Sequence, residues 1–422
     1  MNDENNIINL RYLSGVTYLG LIISIYFMIF TNSTILYHTS AMYLIVILIF
    51  LLLLMKNVHI YRLNFLKVNW LLVSSFSILN IFYSKNPLLS MKCVIFLLIS
   101  ISILEIDFEI IFFEVLFSKI VPITILLAIT IFLNAFIKDL MTNYLSFLVV
   151  PSSLDLLYIE VSQGIYSGIL AEKANAAVAM VLGIGAVFAK FLTNEKFKVK
   201  HVLLLGAYLI AIFLTGKRSL TLIPIAACMF IFFVHRGKAK YRKLIILILV
   251  SIILCYIAIT FIPQTQIIIE RLLLVTDSGT IDTSGRDTAL WPAAMEMYET
   301  NKLFGYGLNT FNNYFTTYGT WGVWNAYAHN TYIGLLAETG IVGTILFCMA
   351  FSISLIKAIY LFTNKQKILE RKHKELLIFA LFIELFWLAY GMTGNPFYNP
   401  GQFLIYVLCI SMVSSIEKLY RV

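Results

Sequence analysis

Stretches with no polar face alternate along this chain with short polar joints. Residues 18–30, 42–55 and 244–261 are apolar on every side. A helix of ~20 such residues, rising ~1.5 Å each, covers the ~30 Å hydrocarbon core of a bilayer. Backbone amides in lipid must bond within their own segment, so these runs read as spanning helices. Apolar runs near residues 12–31, 38–55, 69–84, 87–105, 115–137, 168–192, 201–216, 219–234, 244–263, 330–361, 375–391 and 400–416 predict such helices. The fold class expected is an all-α polytopic membrane protein of about twelve transmembrane helices, with one large extracytoplasmic loop containing short helices.

The joints give the orientation. Those at 56–67, 190–200, 236–243 and 365–374, and the tail with Lys418 and Arg421, are basic, and all fall on one side of an even count. The positive-inside rule makes that side the cytoplasm and places both termini there. Only the joint holding Glu105, Asp107, Glu109 and Glu114 is acidic. Three of the outside segments then stand out: 138–165, the tight turn 215–219, and the long polar stretch 264–329.

Composition sharpens this picture. The chain has 422 residues, 60% hydrophobic and 13% charged, with a mean hydropathy of +0.88; a soluble domain of this length needs more polar surface. The net charge of +9 falls in clusters between apolar runs, so it reports topology and not nucleic-acid binding. The leader carries Asp3 and Glu4 against Arg11 alone, and no small-residue cleavage site follows, so no removed signal peptide is expected. The five cysteines sit inside apolar runs without CxxC spacing, which points to packing and not to metal or disulfides. No repeat and no Pro- or Ser-rich linker divides the chain. Residues 1–422 read as one membrane domain, with 264–329 folded over it, because Trp291, Trp321, Trp324 and several tyrosines are too aromatic for a solvated tether.

Several polar groups stand out against this background. Lys217 and Arg218 sit in a turn between apolar helices. They are either interfacial anchors or a grip for a lipid-borne diphosphate, since guanidinium offers phosphate a planar fork. Arg286 precedes a helix-compatible stretch with Ser284 or Asp287 as N-cap and Pro292 in its first turn, and it either pairs with Asp282 or Asp287 or faces a ligand. Gly305 and Gly307 flank Tyr306 in a turn that lacks the context of a dinucleotide fingerprint. His329, ahead of Asn330 and Tyr332 at a helix start, is either an interface residue making one hydrogen bond or a neutral imidazole able to take a proton. Glu338, nine residues on, faces about 180° away from His329 and needs a partner on another helix. Gly340 and Gly343 are expected to let a neighbouring helix come close. Tyr166 leads into Glu172, Lys173 and Asn175, polar groups at a helix start that need pairing or a cavity.

In order and content, these segments resemble the O-antigen ligase and polymerase superfamily of bacterial envelope glycosyltransferases. The resemblance covers residues 160–350 and runs through Asn175, Thr215-Gly216-Lys217-Arg218-Ser219, Gly285-Arg286 with Trp291, Gly305-Tyr306-Gly307, His329-Asn330, Glu338-Thr339-Gly340 and Gly343. It implies a metal-independent enzyme of the bacterial inner membrane, without cofactor, that transfers glycan from a polyprenyl-diphosphate-linked oligosaccharide at an outward-facing site. By the same resemblance Arg218 and Arg286 hold the leaving diphosphate and His329 is the catalytic base. Lys217, Lys173, Asn175, Tyr166, Asn330, Tyr332, Gly305, Gly307, Trp291 and Glu338 are expected in substrate binding. Lys217 stands where a small residue is common in the family. A flippase and a chain-length regulator are the partners implied.

Polymerase and ligase share these motifs and differ in acceptor. The reading here is a polymerase of repeat units for O-antigen or capsule, because no loop suggests a dedicated site for a large core lipid; the alternative is a ligase that passes the finished chain to lipid A core. A secondary transporter or lipid-linked sugar flippase fits the same topology, but the two halves are unlike and the polar residues crowd the outer face. A scramblase-like or purely structural protein is a third alternative.

Overall fold

A computed structural model of the chain describes residues 17–30, 43–49, 65–106, 108–137, 140–151, 154–194, 198–235, 285–318 and 327–420, with single positions at 241, 245, 256 and 260. The described residues form helices and no strands. In chain order they are α1 (Thr17–Phe30), α2 (Phe65–Tyr83), α3 (Pro87–Glu105), α4 (Ile110–Phe136), α5 (Leu154–Ser162), α6 (Lys173–Thr193), α7 (Val199–Leu214), α8 (Arg218–Val234), α9 (Trp291–Thr300), α10 (Phe311–Tyr318), α11 (Thr331–Lys365), α12 (Arg371–Gly391) and α13 (Pro400–Leu419). Six of them, α2, α3, α4, α6, α11 and α13, are long and apolar enough to cross a membrane, while α1, α7 and α8 are shorter apolar helices. The runs expected at 38–55 and 244–263, and 264–284 and 319–326 of the expected outer stretch, lie wholly or largely outside the described residues.

Local chemistry sets several starts. Asn86, Asn330 and Asn399 each cap a helix, accepting from Leu89 N–H (α3), Tyr332 and Ile333 N–H (α11), and Gln402 N–H (α13). Such caps are worth ~1 kcal/mol each. Pro87 and Pro400 occupy first-turn positions where the missing N–H costs nothing. The run expected from residue 168 starts its helix later, at Lys173, because Gly168–Leu170 is a separate 3-10 turn ending at Ala171 in a left-handed conformation. The expected cap at Asp287 is replaced by a π turn, Arg286–Leu290, entered through Gly285 and followed by α9 with Pro292 in its first turn; Ser284 lies outside the described residues.

The core centres on α6. Its Ala- and Gly-rich surface admits α4, α7, α8 and α12 around it, with Tyr208 of α7 against Gly183 and Phe382 of α12 against Gly185. By contrast α4 turns Leu126, Ile129, Leu133 and Phe136 outward, an apolar face suited to lipid.

One end of the bundle is basic. Lys67 meets Glu105 at 3.4 Å, Lys372 meets Glu114 at 3.3 Å, and Arg371 reaches both Glu375 and Asn194. Lys67, Asn194, Arg371 and Lys372 come from the joints read above as basic, and they meet Glu105 and Glu114 of the acidic joint, so both kinds of joint share this end. The starts of α6, α8, α11 and α13 lie at the opposite end.

α11 departs from the straight span expected. Gly340 has φ +61° inside it, a region that L side chains avoid, and the kink leaves the Ile341 and Val342 amides to donate to Lys302 and Leu303 carbonyls at 2.8 and 3.3 Å. A side chain at Gly340 would strike the Leu303 backbone. The glycine therefore admits a loop and not the neighbouring helix expected from sequence. Gly343 does face a helix, against Phe76 of α2.

Candidate functional site

The starts of four helices meet at the end away from the basic joints, and hydrogen bonds fix their relative positions. Tyr166 donates its N–H to the Leu214 carbonyl at 3.1 Å, tying the approach to α6 to the turn that carries Lys217. Asn175 of α6 accepts from Asn399 and Gln402 side chains at the start of α13, both at 3.3 Å. At the start of α11, Thr331 donates to the Gly394 carbonyl at 3.3 Å and Tyr332 to the Leu388 carbonyl at 2.8 Å. Helix N-termini carry about half a positive charge each, so this end favours anions before any side chain is counted.

The side chains add to it. Lys217 stands at the N-cap position of α8 and Arg218 is the first residue of that helix, both half-buried. Arg286 opens the π turn before α9 and is half-buried too. Lys173 closes on Glu160 of α5 at 3.4 Å, and the buried Glu160 carboxylate also accepts the Lys173 N–H. Glu172, at the N-cap position of α6, accepts from Asn175 at 2.5 Å.

Electrostatics shows which of these groups are neighbours. Burial pushes the Lys217 ammonium below its usual range, with Lys173 and Arg286 adding to the effect and Glu172 and Glu160 opposing it. Burial raises the Glu172 carboxyl, against the pull of Lys217, and raises that of Glu160 against Lys173. His329 is lowered to about 4, first by burial, then by the charges of Arg286 and Lys217. The charges of Glu172 and Arg286 both reach Tyr390 at the end of α12. Lys173, Lys217, Arg286, Glu160, Glu172, Tyr390 and His329 thus form one electrostatic neighbourhood with an excess of cations. At neutral pH His329 is uncharged within it, able to accept or donate a proton.

Contacts within the fold hold the other expected site residues in place. His329 sits at φ +51°, between Ala328, whose carbonyl accepts from Trp291 Nε1 at 3.0 Å, and Asn330, whose side chain is spent on its cap. Tyr166 is buried. Gly305 has φ +68°, and a side chain there would meet the Glu338 backbone; Gly307 donates its N–H to the Glu338 carbonyl at 2.8 Å. Glu338 itself is fully buried and accepts from Asn309 and Phe311 amides at 2.7 and 3.0 Å and from Tyr398 at 2.6 Å. Of the partners expected on another helix one is the first amide of α10, and the others are the Asn309 amide and a tyrosine ahead of α13, so the carboxylate works as a clamp on the start of α10. Among the described residues no three His, Cys, Asp or Glu side chains gather as metal ligands.

Four site residues escaped the sequence reading: Glu160, Tyr390, Asn395 and Asn399. Asn395 lies with its amide nitrogen 3.2 Å from His329 Nδ1. The one signal was the polar run Thr393-Gly394-Asn395 between two apolar stretches, which reads equally well as an ordinary joint.

No curated protein matches the chain. Residues 201–348 match the family model described as O-antigen ligase, a segment that contains Lys217, Arg218, Arg286, His329 and Glu338. Among the described residues six helices are long and apolar enough to span a bilayer, so the chain is a multi-pass membrane protein, and its segment 201–348 is similar to the O-antigen ligase family, in line with the resemblance to the O-antigen ligase and polymerase superfamily.

Proposed function

We propose that the protein polymerises polyprenyl-diphosphate-linked oligosaccharide repeat units into a surface polysaccharide, at the end of the bundle opposite the basic joints and facing away from the cytoplasm. The observation that carries this reading is the reach of Arg286 and Lys217 onto a neutral His329. A diphosphate set among these cations and helix starts places its glycosyl bond beside the imidazole. The bond from the anomeric carbon to the diphosphate oxygen breaks, and a new one forms to the acceptor hydroxyl. The hydroxyl proton passes to His329, and the diphosphate leaves with its growing charge held by Arg286, Lys217 and Arg218. Asn175, Lys173 and Glu172 line the approach.

The orientation rests on the positive-inside rule: the basic joints lie at one end of the bundle and this cluster at the other. A ligase would use the same residues on a different acceptor, and the description of the matching family model favours that second reading. Purified protein supplied with the lipid-linked repeat unit tests both. A ladder of lengthening lipid-linked chains supports the polymerase, and single transfer to an added core-lipid acceptor supports the ligase. Movement of the donor across vesicles without bond formation would replace both with transport.

A further inference from the structure

We propose that Asn395 is a positioning residue for His329: its carboxamide oxygen accepts the Nδ1–H of the imidazole and so leaves the Nε2 lone pair for the acceptor hydroxyl. The inference rests on the base role proposed above for His329.

Both partners are mounted on fixed backbone. On the Asn395 side, Thr393 N–H donates to the Tyr390 carbonyl at 2.9 Å, Tyr398 N–H donates to the Asn395 carbonyl at 3.2 Å, and the Gly394 carbonyl accepts from Thr331. On the histidine side, the Trp291 bond to Ala328 and the Asn330 cap hold the residues before and after the ring. A left-handed backbone at a non-glycine residue costs about 1–2 kcal/mol. At His329 it persists because these bonds over-determine it.

A side chain held 3.2 Å from Nδ1 decides the tautomer, because a neutral imidazole carries one proton and one lone pair. With the amide nitrogen toward the ring, Nδ1 accepts, Nε2 carries the proton, and Asn395 Oδ1 is buried without a hydrogen bond. A half-turn of the amide brings Oδ1 to Nδ1 instead, with almost no change in shape. The surrounding charges favour this second arrangement. The cations whose fields reach the ring are Arg286, ahead of α9, and Lys217, ahead of α8. Since Asn395 occupies Nδ1, Nε2 is the nitrogen left to meet that field, and a lone pair facing cations is stabilised where an N–H is opposed.

The test reads the ring nitrogens directly, in the full-length protein labelled with 15N-histidine and held in lipid nanodiscs near neutral pH. The chain has six histidines, so the His329 signals are identified by their loss in His329→Gln. The expected result is a protonated Nδ1 and an unprotonated Nε2, with Asn395→Leu producing the opposite tautomer or a mixture. Turnover of Asn395→Leu should fall by about 100-fold at unchanged KM for the donor lipid. Asn395→Asp keeps the acceptor and should recover much of that loss. Its carboxylate also stabilises imidazolium, so its activity should disappear at a higher pH than that of the native protein as pH falls. A protonated Nε2 in the native protein would overturn the inference, as would an unchanged tautomer in folded Asn395→Leu. If the tautomer is as stated but His329→Gln transfers glycan normally, the pairing stands and the base role fails.

Discussion

Tyr398 donates its hydroxyl to the Glu338 carboxylate at 2.6 Å, across 60 residues of chain. The same carboxyl group collects the Asn309 and Phe311 amides, so one buried side chain ties the start of α10 and the approach to α13 to α11. Removing it leaves these donors buried and unsatisfied, at about 3 kcal/mol or more. Glu338→Ala should therefore melt at a clearly lower temperature in detergent and accumulate poorly. A melting curve and yield equal to those of the native protein would leave the clamp without support.

Gly340 is the other half of that junction. Alanine there meets the Leu303 backbone and must hold φ +61°, with about 1–2 kcal/mol from the backbone alone. Gly340→Ala should lower the melting temperature by more than Gly343→Ala, whose added methyl group meets the Thr339 and Phe76 side chains and not a loop backbone. The two melting curves decide it.

The pH dependence has a definite sign. Burial and the Arg286 and Lys217 charges lower His329 from an ordinary 6.5 to about 4, so the unfolded chain binds more protons than the folded one between these values. The contribution of neutral His329 to stability is complete above 6.5 and is lost as pH falls toward 4. His329→Gln removes it, so native protein should lose stability faster than the variant over that window. In turnover, a bound diphosphate offsets the two cations and raises the imidazole. The acid limb of kcat, which reports the complex, should lie at higher pH than that of kcat/KM, which reports the unliganded protein. Coincident limbs would speak against a diphosphate bound among these cations.

Arg286→Ala, Arg218→Ala and His329→Ala should each abolish polymer while the protein still inserts and accumulates. Arg218→Lys and Arg286→Lys should also be poor, because a point charge does not replace a bidentate fork. Lys217→Ala should lower turnover and also weaken donor binding. Polymer yield against protein level in membranes separates these outcomes, and near-normal polymer from an alanine variant would remove that residue from the site.

The spans and the cluster differ in how far sequence reveals them. A run of apolar residues long enough for a bilayer is legible because lipid tolerates little else, and α2, α3, α4 and α13 fall where the runs do. Lys217, Arg286 and His329 could be picked out because cations and a histidine beside apolar helices are costly without a task. Gly340 was misread because a glycine within an apolar run carries no mark of its backbone angle. Glu160 and Asn395 were missed because their partners, Lys173 and His329, are 13 and 66 residues away, and no spacing encodes such a meeting. Glu338 showed that it needed partners but not that they would be backbone amides at the start of α10.

The most direct measurement is the size distribution of glycan on a gel after purified protein is incubated with polyprenyl-diphosphate-linked repeat units. Native protein should give a ladder of multiples of the repeat, and His329→Ala and Arg286→Ala should leave the single-repeat band alone. An unextended donor with native protein, or a full ladder from either variant, would contradict glycan transfer at this cluster.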